Sequence, residues 1–491
     1  MERWLDPPVH QWLAAWHGVL IQPQVAITLR IVSWIEIALQ IACVVAVLAR
    51  RREPSVALAW LLGIVLLPVL GMLCFWFFGR ERVRRSARPR LRLLAERRAE
   101  ESNAGVEAAP PSVRSLARTA WQSARAPVTV GNLVEVLVDG AEVYPAELAA
   151  IESARRSVDA TYYSFGRDVT GHRFRDALGA AAKRGVRVRL LVDAIGSVDL
   201  GGFLRPLKRA GGEWHPFLPF NPFDGLSLNL RNHRKILVTD VEVGFVGGLN
   251  IGDEYLNGTR ALGEWRDTGL RIHGPAVAEL QAIFADDWAF TTGREMEAKP
   301  RPSALPTPGS CPVQIVPSGP DDRAEAIYEV FFAAISLAKR SLDLATPYFV
   351  PDLAIWVAIR SAAMRGVRVR IIVPARNDQW LTAAASRSYG EELMTAGVEI
   401  YRYTPGMMHA KTMIIDGEWA SVGTANMDVR SFRLNFEVTA LLYGPETVGP
   451  LQASFERDIG RSELVDPRRF GERPFFTRAV EGFARLLSPL L

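Results

Sequence analysis

Cysteine is scarce in this chain of 491 residues: only Cys43, Cys74 and Cys311 occur, the first two inside apolar runs. That excludes a disulfide framework and a cysteine-based zinc site, and it is compatible with a reducing compartment. Lysine is nearly as scarce, six residues against 52 arginines. A lysine that recurs in a repeated pattern therefore marks a place where a compact, movable point charge is needed. Basic excess is missing from most of the chain. The formal charge of +5 comes from a local +9 in residues 50–98, and residues 99–491 sum to −3. A nucleic-acid groove needs cations along the globular part, so this distribution argues against one and points to a membrane surface. At 49% hydrophobic and 23% charged the chain is too apolar for disorder. Its long apolar runs end by residue 78, which excludes a polytopic transporter.

Those runs are residues 31–49 (IVSWIEIALQIACVVAVLA) and 55–78 (SVALAWLLGIVLLPVLGMLCFWFF). Each is close to the roughly 20 residues needed to cross a bilayer, which predicts a transmembrane helical hairpin within residues 1–79. The runs are too long and too closely paired for a cleaved signal peptide. Glu36 lies near one end of its run and reads as an acid reaching the interface. Residues 50–52 are all Arg, and nine more Arg lie between 80 and 98. The larger cluster sets the orientation, which puts everything after residue 79 in the cytoplasm. Residues 80–128 read as an Arg-rich juxtamembrane helix, suited to anionic lipid head groups, followed by a linker.

Beyond the linker the chain repeats itself. ARRSVDATYYSF at 154–165 is echoed by AKRSLDLATPYF at 338–349, and RGVRVRLLVD at 184–193 by RGVRVRIIVP at 365–374. Helical stretches alternate with Val-rich runs in each copy, the pattern of parallel βαβ units. Two α/β domains of nearly equal length follow, residues 129–300 and 311–491.

Within the repeat, His233, Lys235 and Asp240 form H-x-K-x4-D, with Gly247, Gly248 and Asn250 downstream; His409, Lys411 and Asp416 repeat it, with Gly423, Thr424 and Asn426. Two copies at matching places exceed chance. Two apart on a strand, His and Lys project from one face, and the apolar runs 236–238 and 413–415 anchor that strand. An imidazole beside an ammonium and an amide suits a phosphate: Lys and Asn donate to nonbridging oxygens, and His attacks or shuttles protons. No cluster of acids or cysteines has metal-ligand spacing, so neither a metal nor another cofactor is expected.

This arrangement resembles the phospholipase D superfamily, whose duplicated HKD motifs meet at one active site across a pseudo-twofold axis. The likeness covers residues 129–491. At finer grain the chain is similar to bacterial cardiolipin synthases, through RREPSVALAWLL and LLPVLG in the apolar region, NHRKILVTD, GFVGGLNIGDEY, WRDTGLRIHGPAV, TPYFVPD and HAKTMIIDGEWASVGTANMDVRSFRLNFE. Gly248 and Thr424 stand where the superfamily usually carries Ser. The resemblance implies an α/β fold of two pseudo-symmetric phospholipase D-like domains, mixed sheets flanked by helices. It implies catalytic roles for His233, Lys235, Asp240, His409, Lys411 and Asp416, although a structural role at a strand-to-turn junction suits the two Asp equally well. Asn250 and Asn426 would help hold the phosphate. An orienting carboxylate would stand behind each histidine, Asp267 in the first half and Glu437 in the second.

The implied reaction is metal-free phosphatidyl transfer between two phosphatidylglycerols in the bilayer. His233 attacks phosphorus, His409 protonates the departing glycerol, and a phosphatidyl-histidine is resolved by the second lipid to give cardiolipin. The alternatives are a phospholipase D hydrolase, a related phosphatidyltransferase such as a phosphatidylserine synthase and, remotely, an HKD nuclease. The implied location is the bacterial inner membrane, as a multi-pass protein with cytoplasmic catalytic domains. Two further segments stand out. Residues 214–223 (WHPFLPFNPF) read either as an apolar loop for acyl chains or as a packed connection. Residues 475–491 carry Val480, Phe483, Leu486 and Leu487 at helical spacing, which predicts a helix closing the domain core, with a helix lying on the bilayer as the alternative.

Overall fold

The structure, a computed structural model, describes residues 23–49, 54–79, 105–219, 230–296, 308–320 and 325–488. The Arg residues at 50–52, the Arg-rich segment 80–98 and the second part of the apolar loop, from Phe220, lie outside the described residues. The chain divides into an N-terminal unit ending at Arg80 and a second unit that carries both repeats.

In the N-terminal unit one helix spans Pro23–Leu48. Its apolar part, Ile27–Leu48, has 22 residues, about 33 Å at 1.5 Å per residue, enough for a hydrocarbon core of about 30 Å. The second apolar run differs from expectation. It forms two shorter helices, Pro54–Leu66 and Pro68–Phe78. Pro68 has no N–H to donate and pushes Leu67 out of the helical region, to φ −130° and ψ 69°. The two helices double back on each other. The rings of Trp60 and Phe75 lie 5.4 Å apart, edge to face, whereas the same stretch of straight helix would separate them by about 22 Å. Gly71 permits the close approach, because a Cβ there would lie 2.2 Å from the Gly63 carbonyl oxygen. The folded pair packs on the long helix through Val47, Ile64 and Phe75, and Gln40 Nε2 donates to the Ile64 carbonyl at 2.9 Å. The two-span hairpin, and with it the multi-pass reading, is thus corrected: among the described residues one helix is long enough to cross a bilayer.

In the second unit each repeat lays down its strands in the same order. The first half runs Val128–Val138, Thr268–His273, Val243–Gly247, Ile236–Thr239, Ser157–Tyr162, Arg187–Asp193, Glu213–Phe217. The second runs Cys311–Ser318, Asn435–Tyr443, Trp419–Gly423, Thr412–Ile415, Ser341–Ala345, Arg368–Pro374, Glu399–Tyr403. The pairs Ser157–Tyr162 with Arg187–Asp193 and Ser341–Ala345 with Arg368–Pro374 are parallel, joined through the helices Val169–Lys183 and Leu353–Met364. Ser157–Tyr162 (SVDATY) is buried on both faces although polar residues alternate along it, because partners such as Arg189 and Gln281 satisfy Asp159. The halves join edge to edge where Val128–Val138 pairs antiparallel with Cys311–Ser318, Thr129 opposite Val313. An antiparallel junction between like strands generates the pseudo-twofold axis. The symmetry reaches single atoms. Arg189 Nε bonds Asp159 at 2.6 Å with Gln281 Nε2 on the same carboxylate, and Arg370 Nε bonds Asp343 at 2.7 Å with Gln452 Nε2 on it.

One apolar cluster draws on both halves, with Ile236, Val246 and Leu270 from the first and Ile414, Val422 and Val438 from the second. The halves therefore share a core, and groups carried by either are held in fixed register with the other. Two smaller readings change. The described part of the expected linker, from residue 105, is packed: helix Arg114–Ala124 buries Leu116, Ala117, Ala120 and Trp121 in the second half's core, and Gln314 donates to the carbonyls of Ala117 and Ala126. The start of the Pro-rich segment is strand Glu213–Phe217, and Phe217 is buried beside Phe284 and Phe436.

Candidate active site

Each histidine of the doubled motif is tied by its backbone to the opposite half. His233 N donates to the Phe436 carbonyl at 2.9 Å, just beyond the parallel pairing of Arg231 and Asn232 with Asn435 and Phe436. His409 N donates to the Arg266 carbonyl at 2.7 Å, beyond the pairing of Gly406–Met408 with Glu264–Arg266. Each histidine thus lies beside the segment that carries the other half's acid, Glu437 within the strand Asn435–Tyr443 and Asp267 between the strands Glu264–Arg266 and Thr268–His273.

This reverses the expected partnership. His233 Nδ1 lies 3.1 and 3.0 Å from the two oxygens of Glu437, and His409 Nδ1 lies 2.6 Å from Asp267 Oδ2. The orienting acid comes from across the pseudo-twofold, not from within the same half. A ring that donates from Nδ1 to a carboxylate keeps Nε2 for chemistry. Thr424 donates its hydroxyl to Glu437, and Asn435 Nδ2 donates to the same carboxylate at 3.2 Å. Gly248, the counterpart of Thr424, has a steric reason. A Cβ there would lie 2.3 Å from Asp267 Oδ1, so Asp267 occupies the space a serine would need.

The lysines are buried in the same cluster but differ in placement. Lys411 Nζ donates to the His409 carbonyl at 2.5 Å, lies over the ring at 2.8 Å from Nδ1 and 3.1 Å from Nε2, and stands 4.0 Å from Asp267 Oδ2. Lys235 Nζ instead donates to the His233 carbonyl at 2.8 Å and lies 5.6 Å from the centre of the Tyr163 ring. Burial, with Lys411 beside it, lowers the His409 imidazole to about 3 against the pull of Asp267. Burial also lowers His233, with Lys235 acting in the same direction and Glu437 opposing both. Lys411 is brought down to about 8 by burial, and Lys235 well below the ordinary lysine range for the same reason. Burial works against ionising the two acids, yet Lys411 and His409 hold Asp267 below its usual value, and His233 and Lys235 do the same for Glu437. At neutral pH both imidazoles are neutral, both acids are carboxylates and Lys411 keeps its ammonium, so the cluster offers an anion a buried cation beside two ring nitrogens.

The motif asparagines are buried at its margin. Asn250 accepts from Ser164 N and donates to Tyr255 OH, both at 3.1 Å, and the Tyr255 ring lies 6.4 Å from that of His409. Asn426 bonds the Asp428 carboxylate. Three aromatic neighbours were given no role by the sequence: Tyr163 edge-on to His233 at 5.4 Å, and Trp265 and Tyr255 beside His409, Trp265 at 4.9 Å. All three lie in stretches the sequence had singled out, Tyr163 in the first repeat block, Tyr255 at the end of GFVGGLNIGDEY and Trp265 at the start of WRDTGLRIHGPAV.

Asp240 and Asp416 do not join the cluster. Each sits past the far end of its strand in a left-handed turn, at φ 58° and 56°. Asp240 accepts from the backbone N–H groups of Arg155, Arg156 and Ser157, and Asp416 from those of Lys339, Arg340 and Ser341. The motif aspartates are pins that clamp the starts of the strands Ser157–Tyr162 and Ser341–Ala345. Asp416→Ala is accordingly expected to cost about 2 kcal/mol of stability, read as a lower thermal midpoint of the full chain in detergent, with turnover per folded molecule unchanged. Lost turnover in a variant of unchanged stability would return Asp416 to the chemistry.

Among the described residues no group of three or more His, Cys, Asp and Glu is placed to hold a metal ion. A family model described as "Cardiolipin synthase, PLD-like domain" matches residues 148–288 and 331–459, and one described as "Phospholipase D-nuclease N-terminal" matches residues 38–80. The cardiolipin synthase of Geobacillus kaustophilus is 42% identical over 452 residues, covering 90% of each chain. That of Listeria monocytogenes serotype 4a is 37% identical over 468 residues, 91% of this chain and 96% of its own. Among solved structures, the phosphatidylserine synthase of Haemophilus influenzae superposes with a TM-score of 0.57 at 16% identity, over 77% of this chain and 100% of its own, a likeness of fold.

Proposed function

This chain belongs to the cardiolipin synthase family of phospholipase D-like phosphatidyltransferases, and from that premise we propose that it joins two phosphatidylglycerols into cardiolipin with release of glycerol. The observation that carries the reading is the crossed cluster, in which two histidines, each backed by the other half's acid, share two buried lysines. We assign the first attack to His233. Its side chain is the more accessible, 14% exposed against 8% for His409, and Lys411 crowds only the His409 ring. His233 Nε2 attacks phosphorus, Glu437 stabilises the imidazolium that forms, and the P–O bond to glycerol breaks. A bound phosphodiester anion offsets the Lys411 charge beside the ring, which lets His409 carry the proton it gives to the departing glycerol oxygen. The second phosphatidylglycerol then gives its hydroxyl proton to neutral His409 and attacks the phosphatidyl-histidine, restoring both rings. Lys235 and Lys411 stabilise the phosphoryl oxygens throughout, and Asn250 and Asn426 shape the margin.

The long apolar helix and the family together make this a membrane-associated protein. We place the catalytic part on the cytoplasmic face. Residues 80–98 hold nine Arg, and the positive-inside rule keeps the larger basic cluster on the cytoplasmic side.

The test is the full chain in mixed micelles of phosphatidylglycerol with chelator, followed by mass spectrometry of lipids and glycerol. Cardiolipin with equimolar glycerol is the expected product. The ammonium of Lys411 is lost as pH rises through about 8, so kcat/KM should fall above that pH. Phosphatidic acid without cardiolipin would make water the acceptor and the protein a hydrolase.

A further inference from the structure

The last described helix, Phe475–Leu486, is mounted the opposite way round from a helix that closes a core. Its inward face is polar. Glu481 is 2% exposed, and its carboxylate accepts from Arg387 Nε at 2.8 Å and Arg473 at 2.7 Å. Arg478 pairs with Glu391 at 3.7 Å, and Arg485 pairs with Glu392 at 3.6 Å while lying 4.4 Å over the Tyr389 ring. Ala484 is the one apolar side chain of this helix that is fully buried. The helix is therefore fastened to its neighbour, Trp380–Thr395, by ion pairs and hydrogen bonds. The outward face carries the large apolar groups: Phe475, Phe476, Phe483 and Leu486 are 87, 78, 62 and 77% exposed. The expectation that Phe483 and Leu486 close the core is overturned.

An amphipathic helix that spends its charged face on the protein has its apolar face left for another phase. The occupant with chemical support is an anionic lipid bilayer. The same chain carries a helix long enough to cross one. Residues 466–486 hold five Arg against three acids, and Arg468 and Arg469 are exposed just ahead of the apolar group. Aromatic residues flanked by arginines are the composition of an interfacial helix. We propose that Phe475–Leu486 lies in the bilayer interface with its Phe and Leu side chains below the head groups and with Arg468 and Arg469, just ahead of the helix, on lipid phosphates, a second membrane attachment separate from the N-terminal helix. The proposal rests on the membrane association of the chain and not on the reaction assigned to the site.

The experiment uses the full chain with Cys43, Cys74 and Cys311 replaced by Ala. Phe476→Cys, Phe483→Cys and, as an exposed control, Lys208→Cys are each labelled with an environment-sensitive fluorophore. The protein is reconstituted in phosphatidylcholine–phosphatidylglycerol vesicles with and without lipids brominated in the acyl chains. At interfacial depth the labels at 476 and 483 should lose about half their emission to the brominated lipid, while the label at 208 is unaffected. Quenching at 476 and 483 no greater than at 208 overturns the proposal. So does blue-shifted, unquenched emission accompanied by 483–483 disulfide cross-linking of the unlabelled Phe483→Cys protein, which would give the face to a second chain. Quenching needs no turnover, so its outcome is independent of the product assay.

Discussion

Replacing His233 by alanine is expected to lower cardiolipin formation by roughly 10⁴- to 10⁶-fold, the scale seen when a covalent nucleophile is removed and the rest of a site is left in place. The fold should tolerate the change, because the backbone N–H of residue 233 still bonds the Phe436 carbonyl and Lys235 still has a backbone acceptor. His409→Ala should be nearly as inactive on phosphatidylglycerol, so loss of activity alone does not assign the two roles. The leaving group does. From a phosphatidyl ester of nitrophenol the leaving group is nitrophenolate, which departs without protonation, so His409→Ala should regain a burst of nitrophenolate and accumulate a covalent phosphatidyl adduct visible in the intact mass. His233→Ala should show neither. If the adduct instead forms in His233→Ala and is absent in His409→Ala, the order of attack is the reverse of the one assigned.

The residues of this site were legible in the sequence, and their partnerships were not. The doubled H-x-K-x4-D spacing singled out His233, Lys235, His409 and Lys411 because repetition at matching places removes chance, and the fold class followed from helical stretches alternating with Val-rich runs in both copies. Which acid faces which histidine depends on how one half docks on the other. The bond from His233 to Glu437 spans 204 residues and that from His409 to Asp267 spans 142. No local pattern carries that information; the pairing of Arg231 and Asn232 with Asn435 and Phe436 does. The motif aspartates show the converse limit, since conspicuous spacing reflected a turn that clamps a strand and not chemistry. Elsewhere the signal was present and outweighed. Pro68, between Gly63 and Gly71, was visible inside the second apolar run, but the run's length suggested a straight span. Leu116, Ala117, Ala120 and Trp121 have helical spacing, yet they follow a Pro- and Ala-rich stretch that resembles a linker.

The crossed pairing makes a prediction that a within-half pairing does not share. Glu437→Gln removes the charge that fixes the proton on His233 Nδ1 and that would stabilise the imidazolium formed on attack. By analogy with neutralised carboxylates behind catalytic histidines, the loss should be on the order of 10³-fold. Glu437 is fully buried and also accepts from Thr424 and Asn435, and glutamine keeps its size and one acceptor oxygen, so the variant should remain folded. Asp267→Asn should cost a similar factor on phosphatidylglycerol through His409. With the nitrophenol ester the two should separate. Asp267→Asn no longer depends on proton delivery and recovers its burst, as His409→Ala does, whereas Glu437→Gln stays slow, as His233→Ala does. If each acid served the histidine of its own half, the rescue would fall on Glu437→Gln instead. The same two variants, assayed with two leaving groups, thus read which carboxylate stands behind which ring, and they do so in solution, where the halves must be docked across the Val128–Val138 and Cys311–Ser318 junction for the crossed result to appear.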